Sequence, residues 1–400
     1  MDAQILKCDN DINWDHLVHN SHDGTLYHLL AWRKIIEKTY AHKTYYLISI
    51  KSNKLKNSTD SKKTIESAKG ILPLVHLQNP IFGNQLVSMP FFDHGGILAE
   101  DQETESKLLR EVIRLSENLK AKMIEIRQSR PLKAFHSDGF TDSEGNNLCS
   151  VDDLLGKTDR PFRSIEKKTD IDHSSCKWQV QSHTHKVRML LDLPNSSEVL
   201  MKSFKSKLRS QIKKPIKENL VSKTGGIELL EDFFKVFTVN MRDLGSPVHS
   251  EQLFKNILKA FNDNSRIVMV YKENIAVAGG FVLGFKETLA NLWASSLRKY
   301  SALSPNMLLY WAMLEYACEH GYSQFDFGRS SPGEGTYNFK KQWGAKPQPL
   351  HWYYISREGK SPETAVSEKS SFKLAAQVWK NLPVSVTRII GPRIRKYIGL

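Results

Sequence analysis

Several features are scarce in this chain, and each scarcity excludes a class of protein. Only four of the 400 residues are cysteine, with no C-x-x-C pair and no Cys/His grouping at zinc-finger spacing. This excludes a disulfide scaffold and a zinc-binding module. No hydrophobic run approaches the roughly 18 apolar residues of a membrane span, and the amino terminus has no basic stretch followed by an apolar one. We therefore expect reduced, mostly structural thiols, no metal site and a cytoplasmic protein.

Acidic residues are nearly absent from two short segments, which makes both strongly basic. The chain has 57 Lys and Arg against 43 Asp and Glu, a net charge of +14. Residues 201–223 hold eight basic residues and one acidic residue, while residues 371–400 hold six basic residues and no acidic one. Charge concentrated in two places indicates anionic partners at defined surfaces, such as phosphate, nucleic acid or an acidic lipid leaflet.

The remaining composition is that of a globular protein, and its length predicts more than one domain. Hydrophobic residues make up 40% of the chain and charged residues 25%. We predict a first α/β unit at 1–180, a second at 181–358 and a basic amphipathic tail at 359–400. A polar, Lys/Ser-rich segment near 51–70 is expected to be a surface loop of the first unit.

The second unit shows the clearest order of helices and strands. After strand Val187–Asp192, the periodicity predicts a long basic helix at Ser196–Glu218 and a strand at Ile227–Leu230. Two helices, three antiparallel strands, a helix, a strand, a short helix and a strand at Leu350–Tyr354 follow. This order resembles the GNAT N-acyltransferase fold, and the first half looks like a shorter, rougher copy. We therefore predict an α/β fold with mixed sheets.

A glycine-rich block at 325–354, FDFGRSSPGEGTYNFKKQWGAKPQPLHWYY, is the most informative part of the chain. A strand ends there in a loop that carries many basic and aromatic side chains. Loops at strand ends are where α/β folds place their sites. Asp326-Phe327-Gly328 is not a kinase motif, because the other kinase motifs are missing. The block is either a site or a turn whose aromatic residues belong to the core.

The segment GTYNFKK at 335–341 resembles the G-L-Y-x-F-K-K segment of the Fem aminoacyl transferases, which add amino acids to peptidoglycan precursors. A closer resemblance is to the FemAB-like proteins associated with PEP-CTERM/exosortase and exopolysaccharide loci. It covers YHLLAWRKIIEKTY (27–40), residues 71–96, the basic helix, residues 294–321 and the glycine-rich block. The resemblance implies two GNAT-like subdomains with a cleft between them.

In the Fem enzymes a Phe-Lys pair lies at the reaction site, and the resemblance carries that role to Phe339 and Lys340. A fixed ammonium beside a developing oxyanion stabilises it and can share in proton transfer. Alternatively, Lys340 only pairs with an acid such as Glu334. His94, in an Asp-His-Gly-Gly turn, is a further substrate-binding candidate that faces the cleft or is structural.

Other residues of the block are substrate-binding candidates. Arg329 offers a bidentate guanidinium, although a structural pair with Asp326 is an equally good interpretation. Tyr337 is expected to share a helix face with Lys340 and to hold substrate through its hydroxyl. The remaining candidates in this block are Asn338, Lys341 and Trp343.

The basic helix and the tail each allow two interpretations. Lys205, Arg209, Lys213 and Lys217 lie within helical reach of one another, so they form either a solvated face or a phosphate-binding stripe for a nucleotide-linked substrate or tRNA. The tail alternates apolar and basic residues, so it docks either on the protein body or on the inner face of the membrane. We expect no sequence-specific DNA binding.

The acyl donor is left open by the residues before helix 305–320. GNAT enzymes bind acyl-CoA pyrophosphate on a glycine-rich loop that opens this helix. Residues 302–306 read ALSPN, without glycine, so an aminoacyl-tRNA as well as acyl-CoA is a candidate co-substrate. No permanently bound cofactor is expected.

Together the resemblance and the residues predict an acyltransferase that acts on an amine or hydroxyl of an anionic or nucleotide-linked cell-envelope or exopolysaccharide precursor. The competing hypothesis is a non-catalytic, degenerate GNAT-like module. Such a module would bind anionic partners of a polysaccharide or protein-sorting system through its basic surfaces.

Overall fold

Two mixed β-sheets, each covered by helices, make up the fold. The computed structural model describes residues 3–5, 14–50, 68–79, 83–135, 149–150, 178–356 and 370–399. The loop expected near 51–70 therefore lies largely outside the described residues, apart from residues 68–70, which belong to a strand.

The first sheet has nine strands and is packed mainly against helices Trp14–Asn20, Ala31–Tyr40 and Gln102–Asn118. The Asp101 carboxylate accepts a hydrogen bond from the Thr104 amide and so caps the last of these helices. In spatial order the strands are β1 (Ala3–Ile5), β2 (Lys43–Ile50), β3 (Ala68–Asn79), β4 (Gly83–Val87), β6 (Met123–Gln128), β16 (His351–Ser356), β8 (Gln179–His183) and β7 (Cys149–Ser150), with β5 (Leu98–Ala99) beside β3.

The second sheet has seven strands, antiparallel except for one pair. In spatial order they are β10 (Leu220–Gly225), β11 (Ser265–Lys272), β12 (Ile275–Phe285), β13 (Thr288–Ser296), β14 (Gln324–Ser330), β9 (Val187–Asp192) and β15 (Lys346–Pro349). Its helices are Ser197–Ser203, Ser206–Lys217, Leu230–Leu244, Glu251–Ala260, Pro305–Glu319 and Gly335–Lys341.

The parallel pair β13 and β14 separates after three residues. The two strands pair over Thr288–Ala290 and Gln324–Asp326 and then diverge. A bulge in β14 shifts its register against β9 between Asp326 and Arg329. Gly328 lies in this bulge at a φ of +75°, a conformation that glycine adopts without strain. The divergence opens the middle of the second sheet toward the first.

Aromatic side chains join the two sheets into one body. The ring of Trp32, from a helix of the first sheet, lies 4.4 Å from Phe92 and 5.2 Å from Phe261 of the second half. Phe92 in turn packs 6.0 Å from Trp293 on β13. A continuous apolar core therefore fixes the loop that carries Phe92 against the opening in the second sheet.

Strand β16 corrects one assignment made from the sequence. We placed this strand at the end of the second unit, but it pairs with β6 and β8 in the first sheet. The division expected near residue 180 falls within β8, also a strand of the first sheet. Hydrophobic periodicity reports that a segment is a buried strand and does not report which sheet it joins.

Two further assignments were wrong between residues 196 and 230. The basic helix is two helices, because Phe204 leaves the helical conformation at ψ 148° to bury its ring. The strand expected at Ile227–Leu230 is a 3₁₀ turn over Ile227–Leu229, and the strand lies earlier, at Leu220–Gly225. Only Leu220 of that edge strand is buried, so it has no apolar alternation to reveal it.

The described part of the tail docks on the protein body. Helices Ser370–Lys380 and Val384–Arg395 contact helix Leu230–Leu244. The Arg388 guanidinium lies 3.1 Å from the Glu251 carboxylate, and the Arg242 guanidinium donates to the Leu382 carbonyl. The outward side chains of Leu374 and Ile389 stay 67% and 64% exposed, so contact of this face with the inner membrane stays a prediction. Of the helices among the described residues, none is apolar and long enough for a membrane span.

Candidate active site

A cavity of about 330 Å³ fills the opening between β13 and β14. Asn291 and Trp293 line it from β13, while Asp326 and Arg329 line it from β14. The first half of the chain contributes the loop Phe91–Asp93, the short helix contributes Thr336 and Lys340, and the tail contributes Arg395. We call this space the inner cavity.

Lys340 enters the inner cavity from helix Gly335–Lys341. Its side chain is 7% exposed, and its Nζ donates to the carbonyls of Gly328 and Arg329 at 3.1 and 2.7 Å. The bulge in β14 turns these two carbonyls toward the helix. An ammonium has three N–H groups, so one remains for a ligand. The alternative partner, Glu334, is not involved.

Burial lowers the pKa of Lys340 to about 8, even though the Asp326 and Asp93 carboxylates favour the charged form. Arg329 adds to the lowering. At neutral pH the side chain is therefore a largely protonated ammonium, and it becomes a neutral amine within the pH range that enzymes tolerate.

Asp326 forms the buried ion pair of the site, with Arg188 of β9. The Nε and Nη2 atoms of Arg188 lie 3.1 and 2.8 Å from Asp326 Oδ2, and the side chains are 14% and 5% exposed. Asp326 Oδ1 accepts from the Gly328 amide at 2.8 Å, inside the bulge. The pair is thus built into the turn that carries the carbonyl partners of Lys340.

Arg329 pairs with Asp93 of the first half and not with Asp326. Its Nε lies 3.5 Å from Asp93 Oδ1, and its guanidinium lies 5.3 Å from the ring centre of Trp352. The Trp352 indole donates to the Asp93 carbonyl at 2.9 Å. The residue proposed as a substrate clamp is therefore held by an ion pair and an aromatic ring.

A second, larger cavity of about 650 Å³ shares Tyr27, Ala290 and Asp326 with the inner cavity. His94 lines it with a side chain that is 3% exposed, and its Nδ1 has no hydrogen-bond partner among the described residues. Burial holds the pKa of His94 well below its usual range, so the ring is neutral. Its edge meets the Tyr27 ring at 4.6 Å.

A groove of about 960 Å³ lies on the other side of helix Gly335–Lys341. The sequence candidates Lys205, Asn338, Lys341 and Trp343 all line this groove, together with Lys207. Trp343 is 1% exposed and its indole N–H has no partner within the described part of the chain. The structure thus divides the candidates of the glycine-rich block between two faces of one short helix.

Phe339 and Tyr337 pack against the second core and line none of these three spaces. The Phe339 ring lies 5.0 Å from Tyr310, which lines the inner cavity. Thr336 accompanies Lys340 instead of Tyr337, because on a helix a residue four positions away lies closer in angle than one three away.

The remaining basic candidates do not reach the inner cavity. Arg209 Nη1 donates to the carbonyls of Lys202 and Phe204, where it satisfies the broken end of helix Ser197–Ser203. Lys213 and Lys217 are exposed on the next helix. The stripe predicted from the sequence is therefore split between a structural arginine, a groove lysine and two solvated lysines.

Three lining residues escaped the sequence analysis. Asn291 is 8% exposed and its Oδ1 has no hydrogen-bond partner among the described residues. Arg188, behind the lining, is a charged residue within an apolar strand, a signal that could have identified it. Arg395 follows Lys340 by more than fifty positions, and no local pattern marks it. The described residues contain no His, Cys, Asp and Glu grouping able to hold a metal.

Comparisons with known proteins support a transferase. The family described as acetyltransferase (GNAT) domain matches residues 203–341. The Lipid II:glycine glycyltransferase of Staphylococcus saprophyticus is 31% identical over 81 residues, which are 18% of this chain and 20% of that protein. The chain therefore matches only about one fifth of the length of this curated relative.

Two solved structures share the fold. The crystal structure of FemX is similar with a TM-score of 0.60 at 14% identity, over 92% of this chain and 100% of that one. The carboxy-terminal domain of a putative lysylphosphatidylglycerol synthetase from Agrobacterium fabrum gives 0.51 at 11% identity, over 92% and 95% of the two chains. The predicted fold, mixed α/β with GNAT-like architecture and a cleft between the sheets, is confirmed.

Proposed function

We propose that this protein transfers an acyl or aminoacyl group to an amine or hydroxyl of a cell-envelope or exopolysaccharide precursor, and that the reaction takes place in the inner cavity. The observation that carries the proposal is Lys340, a buried ammonium with one N–H available, in the opening between two diverging strands. The GNAT match over residues 203–341 supports the same class of chemistry.

In the proposed step, the nucleophile attacks the acyl carbonyl carbon of the donor. The new C–N or C–O bond forms as the bond to the donor's oxygen or sulfur breaks, and the proton of the nucleophile passes to that leaving group. The Lys340 ammonium stabilises the oxyanion that develops on the carbonyl oxygen. The Asn291 side chain, which has an unused acceptor at the cavity wall, holds the nucleophile's N–H or O–H.

The donor is proposed to be an aminoacyl-tRNA or acyl-CoA. Helix Pro305–Glu319 begins at proline, which has no amide hydrogen, and the carbonyl of Ala302 before it accepts from Lys214 Nζ at 2.7 Å. This helix end offers fewer amides to a pyrophosphate than a glycine-rich loop would. The proposed donor is therefore weighted toward aminoacyl-tRNA.

Mass spectrometry tests the proposal directly. The purified protein is incubated with isotope-labelled aminoacyl-tRNA or acetyl-CoA and with nucleotide-linked envelope precursors, and label transfer to the precursor is measured. Transfer from one donor is the expected result. A protein that binds neither donor and transfers no label would instead fit the non-catalytic module.

The pH profile of turnover should report Lys340. With a pKa of about 8, the ammonium falls from about nine-tenths of the molecules at pH 7 to about one-tenth at pH 9. We therefore expect turnover to fall roughly tenfold per pH unit above pH 8. A Lys340→Met variant should lose this alkaline limb. A rise in turnover through pH 8 would contradict the oxyanion role and favour a general base.

We propose that the groove beside Lys205 and Lys207 binds the phosphates of the donor. Reversing both charges with Lys205→Glu and Lys207→Glu should weaken tRNA binding more than tenfold and reduce the salt dependence by about two counterions. The matched control reverses Lys213 and Lys217, two exposed lysines of the same helix outside the groove. Equal losses in the two double variants would mean that the whole stripe, and not the groove, attracts the nucleic acid.

A further inference from the structure

The inner cavity contains two cations that have no carboxylate partner. Both carboxylates of its lining, Asp93 and Asp326, already pair with arginines. Lys340 and Arg395 make no ion pair with any described residue. Charged groups buried in a protein are unfavourable unless an opposite charge compensates them, so the cavity is electrostatically incomplete.

Arg395 is held in place through a neutral histidine. Its side chain is 8% exposed, and its Nε donates to His249 Nε2 at 3.1 Å. Since that nitrogen accepts, the proton of the ring is on Nδ1, which lies 2.7 Å from the Tyr40 hydroxyl. The two terminal nitrogens of Arg395 make no hydrogen bond to any described residue. The guanidinium is therefore fixed at one end and available at the other.

The end of the chain is tied down on both sides of the site. The Lys396 carbonyl accepts from His42 Nε2 at 2.7 Å, and the Gly399 carbonyl accepts from the Phe91 amide at 2.5 Å. Phe91 itself lines the inner cavity. These contacts order the turn that follows Arg395, so the tail forms a fixed wall of the cavity.

Burial and the neighbouring Arg329 and Arg127 lower the pKa of Arg395 to about 10, opposed only by Tyr40. The guanidinium stays charged at neutral pH. A volume of about 330 Å³ is at the small end of the range for ligand sites, which favours a small anionic head group over a whole nucleotide.

We propose that Arg395 and Lys340 together bind a carboxylate or phosphate group of the acceptor substrate in the inner cavity, with the planar guanidinium fork engaging two oxygens. Such forks match both groups, whereas an ammonium acts as a point charge. This inference rests on the proposed function for the identity of the substrate as acceptor. Its physical content, an anion site completed by the tail, is independent of the reaction.

The test uses the full chain without any acyl donor. The midpoint of thermal unfolding is measured against rising inorganic phosphate and, in a parallel arm, acetate, with chloride at equal ionic strength as the blank. The parent protein should be stabilised in a saturable manner by at least one anion. Arg395→Gln should lower that anion's affinity at least tenfold, whereas Arg393→Gln, an exposed change of the same charge two positions earlier, should leave it within about twofold.

Thermal stability without anion separates a binding role from a structural one. If Arg395 serves a ligand, Arg395→Gln unfolds no earlier than the parent protein, because it removes an uncompensated charge. Should Arg395→Gln not fold, Arg395→Lys keeps the charge without the fork and should still bind more weakly.

Unchanged anion affinity in the Gln or Lys variant, or no difference between chloride and both test anions, would overturn the inference. Loss of label transfer with an intact anion response would instead remove the proposed function and leave the anion site standing.

Discussion

Lys340→Met should lower turnover by roughly 100- to 1000-fold, the loss typical of removing one donor to a developing oxyanion. Stability should change little, because two effects oppose each other. The methionine leaves the carbonyls of Gly328 and Arg329 without a donor, which costs about 1–3 kcal/mol each at most. It also removes a charge whose burial is unfavourable, as the lowered pKa of Lys340 shows.

The measurements are single-turnover rates and unfolding midpoints of the two proteins at pH 7. Lys346→Met is the matched control, since that lysine is 79% exposed on β15 and pairs only with the exposed Asp192. It should retain parental turnover. If Lys340→Met kept near-parental turnover while unfolding earlier, Lys340 would be a structural lysine that only closes the bulge.

Much of the second sheet follows from local pattern. Strands β9, β12 and β13 begin and end at the residues expected from alternation and from the tight turn at Glu273. These strands are buried and regular, so their side chains reveal them. The edge strand β10 has no such pattern, and it was missed.

The candidate site divides in the same way. The spacing of the glycine-rich block led to Lys340, but its burial depends on the β14 bulge and its carbonyls, which arise from pairing with a distant strand. Phe339, which the resemblance placed beside it, packs into the core. Arg395 reaches the cavity only because the tail folds back, a long-range contact that no local periodicity contains.

The Asp326–Arg188 pair should be the most sensitive ionic contact in the described structure. Asp326→Asn leaves the guanidinium of Arg188 nearly buried and without a counter-charge, and breaking one partner of such a pair typically costs about 3–5 kcal/mol. Urea unfolding at pH 7 measures this loss. Asp192→Asn is the control, because its pair with Lys346 is more than two-thirds exposed on both sides and contributes at most about 1 kcal/mol.

The same substitution should also change the chemistry of Lys340, which separates it from a purely structural lesion. The Asp326 carboxylate raises the pKa of Lys340 against burial, so its removal lowers that pKa further below about 8. The ammonium is then lost at lower pH, and the alkaline limb of turnover moves to lower pH in Asp326→Asn while staying in place in Asp192→Asn. A destabilised Asp326→Asn protein whose limb is unchanged would mean that the limb does not report Lys340, and the oxyanion assignment would fail with it.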